Sequence, residues 1–233
     1  RECNAVFIHG NRAAHFMPKK KKPEQHFIAI AHSRFFKVKK QFNAIIALTP
    51  EAFNSFKNDH PSFCFYYIPN MVTLPEKPPK KQFSSPPVIA TMGRQSIEKG
   101  PDIFLDALFL LKERNIPFKA ILGGSGILSA DLKEKARLLD LTDSVSFPGW
   151  IKDKEKFFSE IDLFCLPSRE ESFGITLLEA MAHNIPCIAT NCTGPRHLIT
   201  PGETGYLCKI DAESLADCIQ QVINNQELLT KIC

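Results

Sequence analysis

Short apolar, β-rich runs alternate with amphipathic helical runs along almost all of this chain, and no other feature limits its fold so strongly. Candidate strands occupy residues 5–9, 27–31, 44–48, 63–68, 88–92, 119–122, 144–147, 162–166, 186–190 and 205–208. Candidate helices lie between them at 102–114, 130–139, 154–159, 175–183 and 212–224. The first of these helices carries Ile103, Leu105, Ala107, Leu108, Leu110 and Leu111, a broad apolar face. Alternation at this spacing yields parallel sheets covered by helices, because a helix fills the long crossover that parallel strands require. Runs such as Val88-Ile89 and Ile188-Ala189 suit strands buried on both sides. The chain is 44% hydrophobic, enough to build such a core, and this excludes a disordered polymer. No apolar run approaches the ~18 residues of a membrane-spanning helix. Residues 1–15 show no signal-peptide pattern.

Two units are expected. Pro75, Pro78, Pro79, Pro86 and Pro87, with Lys77, Lys80 and Lys81, make a polar, semi-rigid connector. It divides the chain into residues 1–75, a linker at 76–87, and residues 88–233. The charge changes sign there too. Residues 1–82 hold 14 Lys/Arg against 5 Asp/Glu, and residues 83–233 hold 15 against 20. Such a split indicates units with different partners. The densest basic spot, Lys19 to Lys22, is flanked by Pro18 and Pro23 and reads as an exposed loop. It is either simply solvated or touches an anionic membrane surface, at ~1 kcal/mol per basic residue. Nucleic acid is not expected, since neither a recognition motif nor interleaved aromatics accompany the run. The eight cysteines form no C-x-x-C pair, so the expectation is reduced thiols in a cytoplasmic protein and no zinc site.

Three loops carry candidate chemistry. Glu171-Ser172-Phe173-Gly174-Ile175 follows the strand at 162–166 and opens a helix that also contains Glu179. Unpaired amides at a helix start favour a phosphate, and Gly174 permits close approach of backbone to a ligand. Glu171 and Glu179 could bind hydroxyl groups at two points of one ligand. The same spacing also fits an ordinary capped helix with an exposed Glu171 and Glu179 in a surface ion pair. Gly93-Arg94 and Lys99-Gly100 follow the strand at 88–92. Ligands of open parallel sheets bind at the strands' carboxyl ends, where Arg94 could chelate phosphate and Lys99 add a point charge. Solvated loop charges would look the same. Gly123-Gly124-Ser125-Gly126 follows the strand at 119–122 without the G-x-G-x-x-G dinucleotide spacing, and a tight turn explains it equally well. Together the three loops suit a sugar nucleotide.

On these stretches, residues 88–224 resemble the donor-binding domain of family 4 glycosyltransferases (glycosyl transferases group 1). These are retaining enzymes of the GT-B architecture. Segments 93–100, 123–126, 147–150, 167–182 and 202–207 occur in the family's order. The resemblance implies an α/β, GT-B-like fold of two Rossmann-like, doubly wound parallel-sheet domains. It implies that Arg94 and Lys99 hold the donor diphosphate, with Gly124 in the close-approach loop. Glu171 would be a catalytic residue binding the transferred sugar's hydroxyls. Amides of Phe173, Gly174 and Ile175 would contact phosphate or sugar, Glu179 the ribose, and Trp150 and Ile151 the nucleobase. Residues 1–75 resemble the later part of the acceptor domain. There residues 27–32 match a strand ending in His32, which contacts the donor sugar in relatives and is the second catalytic candidate. The family's opening glycine-bearing unit has no counterpart, so the N-terminal domain is expected to be truncated and Arg1 to be internal to a longer chain. Ser172 stands where many relatives have Gly, and His197 where many have Glu.

The resemblance further implies transfer of a sugar from a nucleotide-diphosphate sugar to a glycan or lipid-linked acceptor of the cell-envelope or lipopolysaccharide type. This would occur in the cytoplasm or at the cytoplasmic membrane face. No metal cofactor is expected, because Arg94, Lys99 and a helix start would neutralise the leaving diphosphate. Two alternatives stay open: a non-catalytic sugar-nucleotide-binding remnant, and a sugar-nucleotide epimerase on the same architecture.

Overall fold

The computed structural model describes residues 4–10, 24–32, 36–75 and 84–225. The basic run Lys19–Lys22, most of the 76–87 connector, Cys3 and Cys233 lie outside the described residues. The chain divides into two compact units at Met71 and Val72.

The upstream unit carries a parallel sheet in the order β1-β2-β3-β4, formed by β1 (Ala5–His9), β2 (His26–Ala31), β3 (Ala44–Ala47) and β4 (Phe65–Tyr67). Phe27, Ala29 and Ala31 alternate inward along β2 and meet Ile45 and Ala47 of β3. The edge strands leave Phe7 and Tyr66 more than half exposed. Helix α1 (Pro50–Asp59) connects β3 to β4 and is absent from the sequence expectations. Its signals were local: Thr49 caps it through its hydroxyl, which accepts from the Ala52 amide at 3.3 Å, and Pro50 occupies the first turn. Ala52 and Phe56, one turn apart, bury against the sheet, and the Phe56 ring stacks on Phe65 at 5.7 Å. The candidate strand at 44–48 therefore stops at Ala47, because Thr49 already belongs to the helix cap.

The downstream unit is a six-stranded parallel sheet in the order β10-β9-β8-β5-β6-β7. Its strands are β5 (Val88–Met92), β6 (Lys119–Gly123), β7 (Val145–Gly149), β8 (Leu163–Leu166), β9 (Cys187–Thr190) and β10 (Tyr206–Cys208). From β5 the chain builds outward to β6 and β7, then returns to lay β8, β9 and β10 on β5's other side. The crevice between β5 and β8 is thus the topological switch point of a doubly wound sheet, where ligands of such folds bind. Every connection runs through a helix or helical turn: α2 (Pro101–Glu113), α3 (Ser129–Leu138), α4 (Lys154–Ser159), α5 (Ile175–Ala182) and the short α6 (Pro195–Leu198). The sheet is followed by α7 (Ala212–Ile223).

Successive strand residues face opposite cores. Ile89, Leu163, Cys165 and Ile188 pack beneath α2, α3 and α7. Ala90, Met92, Phe164, Leu166 and Ala189 pack beneath α4 and α5. This is why the strands read as continuous apolar runs rather than alternating ones. Leu105, Leu108 and Leu111 of α2 are fully buried, each contributing about 1.5–3 kcal/mol of burial. No described helix is long and apolar enough to cross a membrane.

Candidate functional site

Three loops at the carboxyl ends of β5, β6 and β8 interlock through their backbones. The β5 loop lies against the β6 loop: the Gln95 amide donates to Ser125 O at 3.0 Å, and Gln95 Nε2 donates to Gly124 O at 2.9 Å. Gly124 has φ +102°, and a Cβ there would fall 1.8 Å from Gly93 O. Only glycine lets the two loops approach so closely. The β5 loop then forms a 3-10 turn (Ile97–Lys99) ending at Gly100, where a Cβ would meet Pro167 O at 2.1 Å.

That turn is joined to the β8 loop. Glu98 O accepts from the Arg169 and Glu170 amides at 2.8 and 3.0 Å. The Arg169 guanidinium grips Asp102 with two bonds of 2.7 and 2.6 Å and also donates to Ile97 O. From the far side, the Gly194 amide donates to Glu171 O at 2.8 Å. The result is a buried-edge ion pair: Lys99 Nζ lies 2.7 Å from Glu171 Oε2, with the side chains 28% and 14% exposed. Seventy-two positions separate the partners in sequence.

The hydrogen bonds from Arg169 hold the Asp102 carboxyl below its ordinary range. A carboxylate depressed in the folded state adds stability above its unfolded pKa and loses it as pH falls through the folded value. An Arg169→Leu variant is therefore expected to be about 1 kcal/mol less stable than wild type at pH 7, the pair being one-third exposed. That difference should shrink below about pH 4. Urea unfolding at pH 7 and pH 3 checks this; a constant gap would assign the effect to lost packing.

A cavity of about 600 Å3 opens at the switch point. Its lining brings together Arg94, Lys99, Gly124, Trp150, Ile151, Glu171 and Ile175, seven of the residues singled out in the sequence. Arg94 is 74% exposed and only 4.0 Å from Glu98, a surface contact of little worth that leaves the guanidinium available. Phe173, Gly174 and Glu179 lie outside the lining. The Phe173 amide points at Glu171 Oε1 (3.4 Å), its ring is buried, and Gly174 supplies the left-handed start of α5. Glu179 is tied to the cavity through Lys154, whose Nζ lies 2.6 Å from Glu179 Oε1. Its other oxygen is buried and has no hydrogen-bond partner among the described residues.

The lining also contains residues to which sequence reasoning gave no role of their own: Gln95, Ser125, Lys154 and Ser168. Gln95 and Ser125 sat inside loops already singled out. Lys154 carried no local signal, because a lysine opening a short helix is ordinary; its place depends on α4 packing beside α5. Burial, with the Glu171 charge adding, pushes the nearby Cys192 thiol up.

His32 belongs to the upstream unit. It follows β2, and its Nε2 lies 3.4 Å from His9 Nδ1 at the end of β1. Burial, then the neighbouring His9, lowers the His32 pKa, so the ring is neutral at pH 7.

The model of the family "Glycosyl transferases group 1" matches residues 75–232. An uncharacterized glycosyltransferase of Haemophilus influenzae is 32% identical over 142 residues, covering 60% of this chain and 40% of that protein. The lipopolysaccharide core biosynthesis mannosyltransferase LpsB of Rhizobium meliloti is 32% identical over 140 residues, covering 57% of this chain and 38% of that protein. The chain thus spans about two-fifths of the length of these relatives. A crystal structure of a TarM variant of S. aureus, in complex with fondaparinux, alpha-GlcNAc-glycerol and UDP, superposes with a TM-score of 0.81 at 21% identity. It covers 97% of this chain and 50% of TarM, and the shared fold is the GT-B type of parallel sheets wound with helices.

Proposed function

The chain belongs to the glycosyl transferases group 1, and from that premise we propose that it takes a nucleoside-diphosphate sugar in the β5/β8 cavity and transfers the sugar with retention. The observation that carries this reading is the Lys99–Glu171 pair. A cation suited to phosphate and a carboxylate suited to hydroxyl groups sit 2.7 Å apart in one cavity wall. Such a pair fits the junction of a sugar diphosphate, where the phosphate ends and the sugar begins. Lys99 and the exposed Arg94 guanidinium take the diphosphate, and Glu171 takes the sugar hydroxyls. At Gly93, where an added Cβ would meet nothing within 4 Å, the backbone leaves room for the ligand. Glu179, outside the lining but paired with the lining residue Lys154, would take the ribose once Lys154 releases it.

In the reaction, the bond between the anomeric carbon and the phosphate oxygen breaks. The diphosphate leaves with its charge neutralised by Arg94 and Lys99. The acceptor hydroxyl attacks from the same face, and its proton passes to the departing phosphate oxygen. The acceptor is a glycan or lipid-linked glycan; LpsB, acting in lipopolysaccharide core biosynthesis, supports that class. Uridine diphosphate is the first donor nucleotide to test, given its presence in the TarM complex. His32, neutral and following β2 in the upstream unit, remains the second catalytic candidate.

Calorimetry with UDP and GDP tests the reading. One nucleotide should bind, and Arg94→Ala should weaken it about 10- to 100-fold, the worth of one charge-assisted contact. Unchanged affinity would remove Arg94 from the diphosphate site, and no binding of any nucleoside diphosphate would remove the donor assignment.

A further inference from the structure

Two lysines line the donor cavity, and each is paired with a glutamate. Lys99 Nζ lies 2.7 Å from Glu171 Oε2, and Lys154 Nζ lies 2.6 Å from Glu179 Oε1. The second pair is held by its backbones and loose at its lysine head. Asp153 caps α4, its side chain accepting from the Lys156 amide at 2.9 Å, and this makes Lys154 the first residue of the helix. The buried His183, which follows α5, ties the two helices together. Its Nδ1 lies 2.7 Å from Glu179 O, its Nε2 lies 3.0 Å from Glu155 Oε2, and its ring stacks on Phe158. The Lys154 side chain is nevertheless 47% exposed, against 17% for Glu179. An ammonium on a flexible four-carbon stem can change partner while its helix stays in place. Glu179 has bonding capacity to spare, because its Oε2 is buried and without a hydrogen-bond partner among the described residues.

Charge balance gives the lysine a use. A nucleoside-diphosphate sugar brings one negative charge on each of its two phosphates. Glu171 and Glu179 stay ionised when they accept from hydroxyl groups. Arg94 and Lys99 alone would then answer only half of the negative charge gathered there. Among the described residues, Lys154 is the remaining cation of the lining. We propose, resting on the donor reading above, that Lys154 is a third diphosphate ligand: when the donor enters, its ammonium leaves Glu179 for the phosphate next to the ribose. That phosphate falls to Lys154 because its present partner is the carboxylate assigned to the ribose, whereas Lys99 is paired with the one assigned to the transferred sugar. Each half of the ion pair is replaced by a part of the ligand, phosphate for the lysine and hydroxyl for the glutamate. A nucleoside supplies only the hydroxyls, and a bare diphosphate only the charge. The pair thus favours ligands that carry both.

Calorimetry with UDP and UMP, and competition by uridine, test this; the guanosine series replaces them if GDP is the nucleotide bound. Lys154→Gln can still donate a hydrogen bond to Glu179 but lacks the charge. It should weaken UDP and UMP about tenfold, the worth of one exposed charge-assisted contact, while uridine stays within about twofold of wild type. Lys154→Arg, which keeps the charge, should restore most of the UDP and UMP affinity. Equal weakening of all three ligands would overturn the proposal, since Lys154 would then act by holding Glu179 toward the ribose. Unchanged affinity for all three would overturn it as well, leaving a surface ion pair. So would weakened UDP with retained UMP, which would put the lysine on the sugar-side phosphate. Failure of the donor reading looks different: wild type itself would bind no nucleoside diphosphate. Urea unfolding checks the variants, and Lys154→Met takes the place of Lys154→Gln should the latter fold poorly.

Discussion

Glu171→Gln is expected to reduce sugar transfer about 100- to 1000-fold while leaving the affinity for the free nucleoside diphosphate nearly unchanged. The substitution keeps shape and hydrogen-bonding capacity and removes only charge. In the structure that charge is spent on Lys99 at 2.7 Å and on the Phe173 amide at 3.4 Å. A carboxylate so placed strengthens its hold on sugar hydroxyls as positive charge develops at the anomeric carbon, and loss of one such contact costs about 3–4 kcal/mol in the transition state. Free nucleotide carries no sugar, so it does not use Glu171. Its diphosphate would meet a Lys99 released from its partner, which offsets any loss from loop disorder. The pattern to look for is a collapse in kcat with calorimetric affinity for the nucleotide retained. Transfer within threefold of wild type would sink the catalytic assignment of Glu171. Equal losses of transfer and nucleotide binding would show that the residue merely holds the loop.

The elements of this fold were legible in the sequence because each carries its own periodicity. All ten candidate strands are present, and the five candidate helices are displaced by no more than one residue at either end. What the periodicity could not supply is the order β10-β9-β8-β5-β6-β7. The meeting of Lys99 with Glu171, and of Lys154 with Glu179, depends on that order, since these contacts cross the switch point or join neighbouring helices. Sequence reasoning therefore put Lys99 and Glu171 forward separately, one as a phosphate ligand and one as a hydroxyl ligand, and the structure shows them as one ion pair. The bland alternative for Glu179, a surface ion pair, is half right: it pairs with Lys154, yet one oxygen is buried without a partner. Short helical pieces escaped for a different reason. The turn Ile97–Lys99 and α6 are too brief to show a period, and α1 announced itself by the Thr49-Pro50 cap rather than by a strong apolar stripe.

Gly124→Ala and Gly93→Ala, two substitutions in touching loops, are both expected to weaken nucleotide binding, and only the first to cost stability. At Gly124 the new methyl would sit 1.8 Å from Gly93 O on a backbone already at φ +102°. The left-handed conformation costs an alanine about 1–2 kcal/mol, and relieving the overlap by moving backbone costs about 1–3 kcal/mol more. The sum, about 2–5 kcal/mol, is a large share of a domain's usual stability. The shift would also splay Gly93 and Arg94 from the cavity, so nucleotide binding should be lost with the stability. At Gly93 no atom lies within 4 Å of the added methyl and the backbone is unstrained, yet the residue lines the cavity. Its methyl enters space that the ligand would occupy. Gly93→Ala should therefore unfold within about 0.5 kcal/mol of wild type and still bind nucleotide at least about tenfold more weakly, as a methyl at a closely packed ligand surface does. Urea unfolding and calorimetry on both variants decide it. Should Gly93→Ala bind as wild type does, the ligand lies elsewhere in the cavity, and the diphosphate would have to be placed against Lys99 and the β8 loop alone.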